Sequence, residues 1–170
     1  MYRAVAEAMR KHATLWLCHV GRGELEPEVR ALAAGLGISD RCVSIPYLDC
    51  PSEIYRAFDA FALTSRYEGC PLVLGEALAS SLPLVVTRAP GTSLFLDGGL
   101  THCWTAKVGD VNGVACAIES WVLDIQNQRL INHRQIAEER FSPGVLFGTV
   151  HRLYSDAIGE HPSGERTTGT

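Results

Sequence analysis

Two carboxylates eight positions apart, Glu68 and Glu76, bracket a Gly-Cys-Pro turn in the stretch SRYEGCPLVLGEALASSLP, Ser65 to Pro83. Gly69 has no side chain, so its backbone can approach a ligand closely. Pro71 can open a helix at no hydrogen-bond cost. The first free N–H groups of that helix, with the positive end of its dipole, suit a phosphate. Glu76, beyond Pro71, lies about 7–8 Å further up the axis, roughly the span from a diphosphate to the ribose of the same nucleotide. A carboxylate accepts two hydrogen bonds, which matches adjacent ribose hydroxyls. Glu68, ahead of the turn, faces the opposite end of such a diphosphate. The arrangement expected is a phosphate at the helix tip with a diol at each side. A Glu near a helix start also complements the dipole by itself, and one a turn inside can simply be solvated. Glu76 is set apart by its surroundings, PLVLGEALASSLPLVV, where a charge is excluded unless something accepts it. The stretch is neither a GxGxxG fingerprint nor a Walker A loop.

The elements that must position these residues alternate. Val5, Ala8, Met9 and His12 mark an opening helix over 1–13, and TLWLCHVG reads as a buried strand. Val29, Leu32, Ala33 and Leu36 form one face of a helix from Pro27 to Leu36, with Gly37 past its end. RCVSIPY is a second strand, CPSEIYRAF a short helix capped by Ser52 or begun at Pro51, and DAFALTS a third strand. The Glu76 helix has Leu72 to Ser80 as its body, and LPLVVT is a fourth strand. RAPGTSLFLDGG is turn-rich, THCWTAKV a fifth strand, and Val114, Ala117, Ile118, Trp121, Val122 and Ile125 line an amphipathic helix. Helical patterns follow over 127–140 and 143–158, and the tail from 159 to 170 has the composition of a disordered segment. Short apolar strands alternating with helices specify an α/β fold: a Rossmann-like parallel sheet covered on both faces. In such sheets ligands bind beyond the carboxyl ends of the strands, where loops lead into helix N-termini. The Glu68–Glu76 segment occupies one of these places.

Composition narrows the class further. At 170 residues the chain suits a single domain, 1–158, with a core of its own. It is 46% hydrophobic and 20% charged with a net charge of −4, and its basic residues are scattered. That pattern favours a folded protein and gives no electrostatic reason to expect nucleic acid or an anionic membrane as partner. The amino-terminal residues lack the order of a signal peptide, so a cytosolic location is expected. Six cysteines without a CxxC pair and six histidines without HExxH spacing point to reduced, mostly buried thiols and no metal site.

The segment SRYEGCPLVLGEALASSLPLVVT resembles the Glu-x7-Glu segment of the retaining glycosyltransferases of family 4, whose two-domain architecture is called GT-B. LWLCHVGRGELEPEVRALAAGLGISDRCVSIPYL, YRAFDAFALTS, VGDVNGVACAIESWV and RFSPGVLFGTVHRLY are similar in turn to the segments around it, so the resemblance covers residues 1 to 158. It implies the C-terminal, donor-binding half of a GT-B enzyme and a nucleotide-sugar substrate, UDP- or GDP-linked, with no cofactor. Glu68 would contact hydroxyls of the donor sugar as the catalytic carboxylate, and Glu76 the ribose hydroxyls. Gly69, Cys70 and Leu72 would offer N–H groups to the distal phosphate. The family's first strand, with its Arg- and Lys-bearing loop, is not matched in this sequence, which leaves Arg22 and Arg66 as candidates to neutralise the diphosphate. Ser81 stands where the family often closes the Glu-bearing helix with glycine, and the loop APGTSLFLDGG lacks a further Glu common there. The resemblance implies an acceptor-binding half as partner, on the same polypeptide or on another chain; separately, an exposed sheet edge is a place where a second copy can pair. The chain alone is expected to transfer sugar poorly.

Overall fold

The computed structural model describes residues 1–46, 51–124 and 132–158, the side chains of 51 and 52 excepted. Among the described residues, seven α-helices and five strands occur in the order α1 (Tyr2–Lys11), β1 (Leu17–Val20), α2 (Glu26–Gly35), β2 (Cys42–Ile45), β3 (Phe61–Leu63), α3 (Leu72–Ala79), β4 (Leu84–Thr87), α4 (Ser93–Leu96), β5 (Cys103–Ala106), α5 (Val111–Asp124), α6 (His133–Phe141) and α7 (Pro143–Ile158). The alternation expected from the sequence is present. The segment expected as a short helix is a 3-10 turn, Pro51–Ala57, and the turn-rich segment after β4 contains the single turn of α4. The expected tail, 159–170, and the start of the 127–140 helix lie outside the described residues.

β4 organises the core because it is buried on both faces. Val85 points into a cluster formed with Val5, Ala8 and Met9 of α1 and Val114, Ala115 and Ile118 of α5. Leu84 and Val86 point the other way, into Leu74, Ala77 and Leu78 of α3, Phe95 of α4 and Ala137 of α6. This is the period of two of a strand, and it puts helices on both sides of the sheet. On α1 and α5 the buried positions recur at helical spacing and are mostly small, so the two helices pack closely, and Lys11 ties them at the surface to Glu119 at 2.8 Å.

The sheet differs from expectation in its continuity. β1 pairs in parallel with β2, Leu17 opposite Cys42, and β3–β4–β5 form a separate parallel sheet with Phe61 opposite Leu84 and Leu84 opposite Cys103. Among the described residues no ladder joins β1 to β3. A strand expected to be buried is therefore half open: Leu17 and Cys18 are half-buried, His19 and Val20 exposed. The thiols follow suit. Cys18, Cys42 and Cys103 are half-buried and Cys70 and Cys116 exposed, so none of the five described is fully buried. At Cys70 the thiol sits in a loop at the helix tip, and at Cys116 it faces away from the buried stripe of α5, where apolar neighbours in sequence are not neighbours in space. Cys50 lies outside the described residues. α7 carries no buried residue and exposes Phe147, Val150, Leu153 and Tyr154.

Candidate functional site

α3 begins at Leu72, capped by Pro71, and is the element that holds the site. The Leu74 N–H bonds back to the Pro71 carbonyl at 2.9 Å, whereas the N–H groups of Leu72 and Val73, in the first turn, have no intrahelical partner. The helix is apolar in most of its letters, yet it has two distinct faces. Leu74, Ala77 and Leu78 are wholly buried, and Leu72, Val73 and Glu76 lie on the opposite, exposed stripe. Glu76 thus escapes the core that its neighbours in sequence suggested. At 100° per residue it is turned away from Ala77 and Leu78, and its carboxylate reaches solvent.

A specific donor meets that carboxylate. Tyr55, in the 3-10 turn before β3, donates its hydroxyl to Glu76 Oε2 at 2.7 Å. The Tyr55 ring is buried against Leu74, Leu78 and Phe61. Burial first, and then the Glu76 carboxylate, push the phenol far above its ordinary value. The phenol therefore stays protonated and remains a donor.

The turn that carries Glu68 is held from β4. Thr87, at the end of that strand, donates its hydroxyl to the Ser65 carbonyl at 2.7 Å, and the Glu68 N–H bonds to the Pro90 carbonyl at 3.1 Å. Gly91, at φ +86, lies directly against this turn. A Cβ there would overlap the Glu68 carbonyl and stand 2.6 Å from that of Gly69. Thr92 braces the same loop from within, donating to the Ala89 carbonyl at 2.8 Å. Glu68 itself is half-buried, and Gly69 and Cys70 are exposed. α4 closes on the other flank, with Phe95 against Gly75.

Leu72, Val73 and Glu76 line one end of a cleft of about 970 Å³, together with Ser65 after β3 and Gly21 after β1. Glu68, Gly69 and Cys70 are outside that lining. Arg22 is exposed and borders a separate hollow of about 170 Å³ beside Glu26, Arg30 and Ser44. Arg66 is exposed in the turn after β3. The structure therefore gathers Glu76, Leu72 and the tip of α3 at the cleft, sets Arg66, Glu68 and Gly69 on the turn that leads into it, and puts Arg22 in the neighbouring hollow, which shares Gly21 with the cleft. Sequence reasoning missed Tyr55, Thr87 and Gly91. Only Gly91, in the turn-forming dipeptide Pro90-Gly91, carried a local signal.

Residues 1–124 match the model of the family described as "Glycosyl transferases group 1", and the chain belongs to that family. It is 30% identical over 123 residues to the lipopolysaccharide core biosynthesis glycosyltransferase LpsE of Rhizobium meliloti, an alignment covering 72% of this chain and 36% of that protein. Sucrose-phosphate synthase from Thermosynechococcus elongatus superposes with a TM-score of 0.78 at 20% identity, over 94% of this chain and 43% of the other. The Anabaena HepE protein in complex with UDP-glucose superposes with a TM-score of 0.74 at 22% identity, over 93% and 44%. The fold is that of one half of a GT-B glycosyltransferase, and the chain spans less than half the length of each of these proteins.

Proposed function

We propose that the chain is the donor-binding half of a retaining glycosyltransferase of family 4, moving a hexose from a UDP- or GDP-linked donor to a saccharide or lipid-linked acceptor on the cytosolic side of a membrane. The observation that carries this reading is the pairing of free N–H groups at the tip of α3 with a carboxylate one turn on, Glu76, fixed by the Tyr55 hydroxyl at 2.7 Å. The UDP-glucose complex of HepE, a protein of the same fold, supports the ligand class. In this reading the tip of α3 and the Gly69 turn stabilise charge growing on the leaving diphosphate as the glycosidic bond breaks. Glu76 holds the ribose and Glu68 the hydroxyls of the transferred sugar. Arg22 and Arg66, both on loops beyond the carboxyl ends of strands, supply positive charge. An acceptor-binding half, on the same polypeptide or another, orients the nucleophile and excludes water.

Calorimetric titration with UDP-glucose and with GDP-mannose tests the site. One donor should bind, and Glu68→Gln with Glu76→Gln should weaken it by tenfold or more, a loss of about 1.4 kcal/mol. Unaltered titration curves in the double variant would rule the site out. The purified chain alone should transfer little or no sugar, and robust turnover without any partner contradicts the need for a second half.

A noncatalytic nucleotide-sugar-binding or interaction module is the second reading, favoured by α7, whose apolar row at Phe147, Val150, Leu153 and Tyr154 is exposed. Light scattering combined with the same titrations separates the two. A stable assembly that binds donor, and in which no added acceptor half restores transfer, supports the module.

A further inference from the structure

α6 ends on two residues that reach back to the loop beside the Glu68 turn. Arg140 donates from Nη2 to the Leu94 carbonyl at 2.7 Å and from Nη1 to the Asp97 carbonyl. Its guanidinium carbon lies 5.1 Å from the centroid of the Phe141 ring, within the range of a cation–π contact. Phe141 packs in turn on Phe95, with ring centroids 4.9 Å apart, and Phe95 is the side chain that closes on Gly75 of α3. Gly98 leaves room for the guanidinium, since a Cβ there would stand 2.6 Å from Arg140 Nη1.

α4 needs such a clamp. It is a single turn of four residues, with the Phe95 and Leu96 N–H groups bonded to the Thr92 carbonyl and the Asp97 N–H to the Ser93 carbonyl. One turn fixes too many dihedrals for too few bonds to persist alone. The carbonyls at a helix's carboxyl end lack helical partners. The Arg140 fork takes two at once, each by a charge-assisted bond. A lysine ammonium has no such planar pair of donors.

The residues just ahead of α4 are the ones that touch Glu68. Pro90 accepts the Glu68 N–H at 3.1 Å, Gly91 lies against the Glu68 carbonyl, and Thr92, 1% exposed, ties them to the first residue of the turn by donating to the Ala89 carbonyl. α4 is only about 6 Å long, so a shift at its Arg140 end is carried to Pro90 and Gly91 with little to absorb it. We propose that Arg140 is a positioning residue of the donor site: its guanidinium locks α4 to the end of α6, and α4, through Pro90 and Gly91, fixes the turn that presents Glu68. The role in donor binding rests on the reading of Glu68 as a contact of the donor sugar, whereas the clamp itself does not.

The test compares Arg140→Ala and Arg140→Lys in the full chain with Ile118→Val, which weakens the opposite core cluster, around α1 and α5, and leaves α4 untouched. Exchange of the Glu68 amide, followed by NMR, reads the clamp, and calorimetric titration with UDP-glucose and GDP-mannose reads the site. Arg140→Ala should quicken that exchange fivefold or more and weaken the bound donor fivefold or more. Arg140→Lys, which keeps the charge and one donor at a time, should fall between Ala and the parent chain in both, a graded rescue that loss of packing alone does not produce. Ile118→Val should lower the urea midpoint and move neither readout. If Arg140→Ala does not fold, Arg140→Lys carries the same comparison. Variants that change exchange and affinity no more than Ile118→Val overturn the proposal. So does faster exchange with unchanged affinity, because the turn would then not need holding, and weaker affinity with unchanged exchange, because the effect would not run through the loop. If neither donor binds the parent chain, it is the donor-binding reading that fails, and the exchange comparison alone decides whether Arg140 holds the turn.

Discussion

The Tyr55 hydroxyl donates to Glu76 Oε2 at 2.7 Å across 21 residues of sequence, joining a 3-10 turn to the exposed stripe of α3. The bond fixes a carboxylate that would otherwise sweep through several rotamers. Its ring half is core and its hydroxyl half belongs to the site, so the two contributions are separable by substitution.

Tyr55→Phe keeps the ring and removes the donor. Because Glu76 reaches water, stability should fall by about 1 kcal/mol or less. Donor affinity should fall about fivefold, equivalent to about 1 kcal/mol, through loss of preorganisation. Tyr55→Ala also empties part of the core and should cost about 3–5 kcal/mol. Chemical denaturation and calorimetric titration of the two variants separate these effects. Equal destabilisation by Phe and Ala would show that the hydroxyl serves the core instead.

Gly91→Ala tests the contact between the β4 loop and the Glu68 turn. Gly91 has φ +86, and an added Cβ would overlap the Glu68 carbonyl and lie 2.6 Å from that of Gly69, backbone that cannot swing aside. The backbone conformation alone costs a non-glycine residue about 1–2 kcal/mol, and the clash adds to it. Stability should drop by about 2–3 kcal/mol. Amide exchange should quicken first at 66–70 and leave β4 little changed. Exchange that quickens evenly along the chain would show that the strain is not local to the turn.

How much of this was legible in sequence depended on range. β4 and the amphipathic faces of α1 and α5 follow from residues a few positions apart, and the α3 turn was marked by Gly69 and Pro71. The half-open state of β1 could not be read in LWLCHV, because an apolar strand looks the same whether one edge or two are paired. Glu76 was misjudged for a related reason: a run of apolar letters suggested burial all round, but helical rotation placed Glu76 with Leu72 and Val73 on the open stripe. Tyr55 and Thr87 act on groups 21 and 22 positions away, and no local pattern announces such partners.

Ser81 makes the opposite case to Gly91: a side chain where glycine would fit better. It follows α3 at φ +58, and the bonds Ser81 N–H to Leu78 carbonyl (2.9 Å) and Leu82 N–H to Ala77 carbonyl (3.1 Å) form the Schellman pattern that ends a helix. The left-handed conformation costs Ser about 1 kcal/mol relative to Gly. Part of that gain is lost to the greater freedom of glycine in the unfolded chain. Ser81→Gly should therefore stabilise by about 0.5–1 kcal/mol, seen as a higher midpoint in urea with an unchanged slope. A lower midpoint would mean that the Ser81 side chain makes a contact worth more than the backbone strain.

His133, at the start of α6, should give the fold a sensitivity to acid. Its side chain is fully buried, with Nδ1 2.7 Å from the Leu82 carbonyl and Nε2 against that of Thr101. Protonation would let both nitrogens donate, but burial opposes the charge and holds the imidazole below its ordinary value. The two carbonyls pull the other way, and neighbouring His102, itself 3.7 Å from Asp124, adds to the lowering. With a folded-state value below the ordinary 6.5, stability from this group is fully present above pH 6.5 and is lost as pH falls, because the unfolded chain takes up the proton first. The slope is at most about 1.4 kcal/mol per pH unit for one group. Urea midpoints should fall between pH 6.5 and 5, and His133→Gln, less stable at pH 8, should show a flatter profile over that interval. An unchanged slope in His133→Gln would assign the acid sensitivity to other groups.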